Sequence, residues 1–177
     1  MALTALQRRV CRLIAGNRIA SGESYVAGGV ALNASLGATR LSRDIDLFHD
    51  TNEALETSWR ADRALIEADG LDLRVVRERA GVVEAEIDDG SDQARLEWAR
   101  DSAFRFFPLQ EHDDFGLTLH PFDLATNKVL ALVGRLDVPR SRLRPRGRLR
   151  TAAGGAAELE PAMTAVAAAI DAQVLLR

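Results

Sequence analysis

Three kinds of residue are almost missing from this chain. It has one cysteine, Cys11, so no internal disulfide can form, and its three histidines, His49, His112 and His120, are too scattered to give a zinc-ligand spacing with it. Lysine is rarer still: of 23 basic residues 22 are arginine, and the single lysine is Lys128. Aromatic residues make up only 5%. Long apolar runs are missing as well. The first helical segment is interrupted by Gln7, Arg8, Arg9 and Arg12, which excludes both a signal-peptide core and a membrane span there and sets the expectation of a cytoplasmic protein with no membrane partner.

What is present describes a globular chain. Its 177 residues suffice for one well-buried domain, and 47% hydrophobic with 28% charged residues is an ordinary balance. The net charge of −3 carries no global signature of nucleic-acid binding, but it conceals a basic stretch. Arginine occupies alternate positions from Arg140 to Arg150, and no acid occurs between Asp137 and Glu158. The expected organisation is a domain over residues 1–137, a basic linker over 138–155 and an alanine-rich helical tail over 156–177.

Within the domain, periodicity and punctuation predict both helices and strands, an α+β chain. Leu3, Leu6, Val10 and Leu13 recur at helical spacing, with Gly16 as a stop, predicting a helix over 2–15. A short strand over 25–27 runs into Gly28-Gly29, and a helical segment follows until Gly37. Residues 44–48 read as a strand. Thr51 or Asn52 caps a helix that buries Leu55, Trp59, Leu65 and Ile66 and ends at Gly70. Strands are expected over 71–77, 82–88 and 93–99, the last two forming a hairpin, and again over 117–120; residues 101–115 read as irregular, and a helix over 122–135 follows Pro121.

Two features suggest chemistry. Asp44 and Asp46, two apart on a strand, point their carboxylates to one face, an arrangement suited to Mg²⁺. Gly28-Gly29, between a strand and a helix, lets the backbone approach a ligand while the helix start offers N–H groups to phosphate. Either alone is commonplace. Their order, strand, Gly-Gly, helix, then Ser42-Arg43-Asp44-Ile45-Asp46 on the next strand, is more specific. Lys128 is also conspicuous, because Leu124, Ala125, Ala131 and Leu132 surround it with an apolar stripe.

The run Val26-Ala27-Gly28-Gly29-Val30-Ala31-Leu32-Asn33, followed by Arg40 to Phe48, resembles the glycine and metal-binding motifs of DNA-polymerase-β-type nucleotidyltransferases, with wording similar to the AbiEii toxin family. The helix Phe122-Asp123-Leu124-Ala125-Thr126-Asn127-Lys128 resembles the lysine-bearing helix of that group, and the likeness spans residues 20–140. The resemblance implies an α+β polymerase-β-type fold, a small mixed sheet flanked by helices, and transfer of a nucleoside monophosphate from an NTP to an RNA hydroxyl, tRNA above all. It further implies one or two Mg²⁺ ions held by Asp44 and Asp46, phosphate contacts from Gly28, Gly29 and Ser42, triphosphate neutralisation by Lys128, and a cognate antitoxin. A third carboxylate is usual in the superfamily. Glu97 is the candidate, in competition with Glu84, Glu86 and Asp88 and with the plainer reading of a solvated sheet face. The chain departs from the pattern after the lysine helix, where Asp137-Val138-Pro139-Arg140-Ser141 stands in place of an acidic motif. That departure leaves two alternatives open: a nucleotidyltransferase acting on a small molecule such as an aminoglycoside, and a non-catalytic member of the fold.

Overall fold

The computed structural model describes residues 3–37, 42, 44–102 and 104–136. The expected linker and alanine-rich tail lie outside the described residues. The chain divides into two compact units, Met1–His120 and Pro121–Arg177.

The first unit is one seven-stranded sheet with three helices. In chain order these are α1 (Ala5–Ser21), β1 (Ser24–Ala27), α2 (Gly28–Ser35), β2 (Asp44–His49), α3 (Asn52–Ala68), β3 (Asp72–Arg79), β4 (Val82–Asp88), β5 (Gln93–Arg100), β6 (Gln110–His112) and β7 (Gly116–Thr118). The sheet order is β3-β4-β5-β2-β1-β7-β6. β2/β5 and β1/β7 pair in parallel and the other neighbours antiparallel, so the sheet is mixed as expected. Of the second unit, the described part is α4 (Pro121–Leu136).

Pleating sorts the central strands into two faces. Ile45, Leu47, Leu96, Trp98, Ala85 and Ile87 are fully buried on one. There Trp98 meets Trp59 of α3 edge-on, with ring centroids 4.8 Å apart. Each such side chain taken wholly out of water contributes about 1.5–3 kcal/mol, which makes this face the core. A polar knot is set into it. Asp62 of α3 accepts from Trp98 Nε1 at 2.9 Å and Asn17 Nδ2 at 2.7 Å, and pairs with the fully buried Arg18 of α1 at 3.1 Å. The opposite face carries Asp44, Asp46, Arg95, Glu97, Glu84 and Glu86.

Three sequence expectations need correction. The first helix does not stop at Gly16: it runs from Ala5 to Ser21 and ends at Gly22, which takes the left-handed conformation at φ 68°. A glycine inside a helix costs only about 1 kcal/mol, and continuing past it brings Asn17 and Arg18 onto Asp62 of α3. At its other end Thr4 and Gln7 form a reciprocal capping box, placing the start after residue 4. In α3, Leu65 is exposed rather than buried, because Leu55, Trp59 and Ile66 already fill the inward stripe. Residues 101–115, expected to be irregular, include the short edge strand β6. Among the described residues no helix is long and apolar enough to cross a membrane.

Candidate active site

Sheet topology brings the motif residues together. Ala27, the last residue of β1, pairs with Asp46 of β2, and Asp46 in turn pairs with Glu97 of β5. Cross-strand partners share a face, so Asp46 sits between the glycine turn and Glu97. One step along, Asp44 pairs with Arg95.

The turn explains its glycines. Gly28 has φ +64°, a conformation unfavourable to other residues, and a Cβ placed on it would stand 1.7 Å from Asp46 Oδ2. The Asp46 carboxylate therefore lies directly against the backbone of Gly28. A Cβ on Gly29 would meet Ser42 Oγ at 3.2 Å, so the Ser42 hydroxyl stands over the second glycine. α2 begins immediately at Gly28, and its N-cap residue Ala27 provides no side-chain hydrogen bond to the first turn. Backbone N–H groups at such a start suit phosphate oxygens.

Ser42 is held from both sides. Its hydroxyl donates to the Asp44 carbonyl at 3.3 Å, and Gln7 Nε2 donates to the Ser42 carbonyl at 2.9 Å. Gln7 thus links the capped start of α1 to the motif. The sequence carried a signal for it, the Thr4-x-x-Gln7 box, but not for where the side chain would reach. Beyond Ser42 and Asp44 opens a cleft of about 640 Å³, also lined by Thr4, Gln7, Glu86, Asp92, Gln93 and Arg95.

The carboxylates differ in setting. Asp44 is exposed and Asp46 half-buried. Glu84, read from sequence as one of a solvated row, is instead buried: Arg77 bonds it on one side and Arg95, at 2.5 Å, on the other. The hydrogen bond from Arg95 foremost holds its pKa below the ordinary carboxylate range. Glu97, its neighbour across β4/β5, goes the other way. Burial first, then hydrogen bonding to Glu84 and the Asp46 charge, raises its pKa, and Arg77 at 3.8 Å from Glu97 only partly opposes this. Glu86 is paired with Arg74, and Asp88 lies at the far end of β4, across from Gln93 rather than Asp46.

Gly28, Gly29, Ser42, Asp44, Asp46 and Glu97 are therefore neighbours in the first unit. Lys128 is on α4 of the second, half-buried one turn beyond the buried Leu124 and Ala125. Among the described residues, no three His, Cys, Asp or Glu side chains stand close enough to make a ready metal cluster. The oxygen donors of Asp44 and Asp46 on one face fit Mg²⁺ in its usual protein role, in which one or two carboxylates are completed by water and substrate phosphate.

No protein-family model and no curated protein matches the chain. Solved structures do. JHP933 from Helicobacter pylori is 16% identical with a TM-score of 0.54, the match covering 73% of this chain and 58% of that one. MenT4, a nucleotidyltransferase toxin from Mycobacterium tuberculosis, is 15% identical with a TM-score of 0.47, over 72% of this chain and 52% of its own. The chain thus spans little more than half the length of each. The first likeness is close enough to identify an architecture: over most of its length, this chain has the fold of JHP933.

Proposed function

We propose that the protein is a nucleotidyltransferase that moves a nucleoside monophosphate from an NTP to an acceptor hydroxyl. The observation that carries this reading is the contact between turn and carboxylate: Asp46 lies against a left-handed Gly28 at the uncapped start of α2, so a phosphate-binding backbone and a cation-binding side chain serve one point in space.

Asp44 and Asp46 would hold one or two Mg²⁺ ions, which when bound offset charge on the triphosphate and on the leaving group. The first N–H groups of α2 and the Ser42 hydroxyl take phosphate oxygens, and the resemblance of the lysine helix gives Lys128 the part of a point charge for the triphosphate. In the transfer, the acceptor oxygen forms a bond to the α-phosphorus as the bond from that phosphorus to the β-phosphate oxygen breaks, and pyrophosphate leaves. The acceptor's proton passes to a Glu97 oxygen, for which a raised pKa is favourable. Asp46, between the glycine turn on β1 and Glu97 on β5, separates a donor side from an acceptor side.

The resemblance of the glycine, Asp-x-Asp and lysine motifs to AbiEii toxins supports an RNA acceptor, tRNA first, and a cytoplasmic toxin restrained by a cognate antitoxin. One observation favours a second reading. Among the described residues, the cleft beside Asp44 is lined by Asp44, Glu86 and Asp92 together with Arg95, a balance that would also suit a cationic small molecule such as an aminoglycoside.

The test incubates purified protein with each labelled NTP, Mg²⁺ and either total RNA or an aminoglycoside, beside an Asp44→Ala, Asp46→Ala control. Label in RNA from the unmutated protein alone is the expected result. Label in the aminoglycoside alone supports the second reading. A folded protein that labels neither is a non-catalytic member of the fold.

A further inference from the structure

The outer face of α1 carries a second concavity that the transfer chemistry does not use. It measures about 710 Å³ and is lined by Leu3, Thr4, Ala5, Arg8, Arg9, Arg12, Leu13 and Asp69. Thr4 also lines the catalytic cleft, so the two depressions meet at the N-cap of α1. Three arginines occupy this face within a little over one helical turn. Arg8 and Arg12, four residues and about 6 Å apart along the axis, both pair with Asp114, at 2.8 and 2.7 Å. Arg9 pairs with Asp69 at 2.8 Å.

These ion pairs aim the arginines without neutralising the face. Arg9 and Arg12 remain about half exposed while paired, so their charge stays open to solvent. Asp114 is nearly buried, with 11% of its side chain exposed, whereas Arg12 is 58% and Arg9 49% exposed. The pair of Arg12 engages its Nε, and the exposed guanidinium lies on the solvent side. The Arg9–Asp69 pair is a surface pair of the kind that contributes little stability, commonly below about 1 kcal/mol. The result is a preoriented basic surface whose border with the catalytic cleft is a single residue.

We propose that Arg8, Arg9 and Arg12 bind the phosphodiester backbone of the acceptor strand, whose reactive end enters the cleft past Thr4. The inference rests on the nucleotidyltransferase reading and narrows its acceptor. A polyanion that extends beyond the cleft uses this face, and a small cationic acceptor does not. Backbone contacts of this kind add affinity that is salt-dependent and indifferent to base sequence.

The test measures binding of a fluorescein-labelled short single-stranded RNA to the full chain by anisotropy across a salt series, without NTP. The expected result is that the Arg9→Ala, Arg12→Ala double variant binds more weakly and lowers the slope of log affinity against log salt by about 1.4, from two lost contacts at about 0.7 each. Asp114→Asn removes the carboxylate that aims Arg8 and Arg12 but keeps both charges, so it should leave the salt slope of the unmutated protein in place where the double variant lowers it. Affinity for a labelled NTP is read in parallel and should be the same in the double variant and the unmutated protein. RNA affinity and salt slope unchanged in a folded double variant would overturn the proposal and leave an acidic protein surface as the occupant. Loss of NTP binding by the unmutated protein's site is a separate result: it removes the enzymatic reading, while the RNA slope still decides this one.

Discussion

At the residue scale, Gly28 and His49 show how far local geometry limits substitution. Gly28→Ala places a Cβ in a left-handed backbone and against Asp46 Oδ2, so Asp46 must move. The expected outcome is a loss of about 1–2 kcal/mol in denaturant unfolding and a fall in turnover on the order of 100-fold, the scale that follows from displacing a reacting group by about 1 Å. His49 is fully buried. Its Nδ1 faces the Ala99 carbonyl at 3.3 Å and its Nε2 the Ser24 hydroxyl at 3.1 Å, a pattern that satisfies a neutral ring. Burial above all lowers its pKa from 6.5 to about 4. The unfolded chain therefore takes up this proton at a higher pH than the folded one, and stability falls as pH drops through that window. The histidine's share approaches about 3 kcal/mol by the lower end. Urea unfolding of the protein and of His49→Gln between pH 7 and 4 checks this: the variant should lose that part of the acid slope. The sequence marked Gly28 through its order with Asp46, but gave no hint of the His49 environment, which depends on partners 25 and 50 residues away.

At the scale of elements, most of the chain was legible because turn residues and alternation agree. β4 begins and ends where Val82 and Asp88 predict, and Glu97 points away from Leu96 and Trp98 as its alternation requires. α1 was misread for a physical reason. Gly16 is a local signal, whereas the forces that carry the helix to Ser21 come from the Asp62 knot on α3. Glu84 was misread similarly, since strand alternation assigns a face but not the arginines that cover it. The corrected helix makes a prediction. A Cβ at Gly16 meets nothing within 4 Å, so Gly16→Ala should raise stability by about 0.5–1 kcal/mol, leaving activity unchanged; a thermal melt measures it. Asp62→Ala should do the reverse. It strips the partner from Arg18, whose Nε already has no hydrogen-bond acceptor among the described residues, and should cost about 3–5 kcal/mol in denaturant unfolding.

For the whole molecule, the sheet order is what relates the motifs. β2 lies between β1, which delivers the glycine turn, and β5, which delivers Glu97, so one strand carries Asp44 and Asp46 along the boundary between a phosphate-binding turn and a proton-accepting carboxylate. A seven-stranded mixed order of this kind is not readable from periodicity; the family resemblance implied a small mixed sheet without its order, and the JHP933 likeness bears out the architecture. The most direct measurement of the central claim supplies the protein with Mg²⁺, acceptor and an NTP labelled in separate samples at the α- or the γ-phosphorus. Nucleotidyl transfer predicts that the α-label enters the acceptor, the γ-label leaves in pyrophosphate, and both events vanish in Asp46→Ala. Label from the γ-position in the acceptor, or α-label transfer that survives loss of Asp46, would contradict the account.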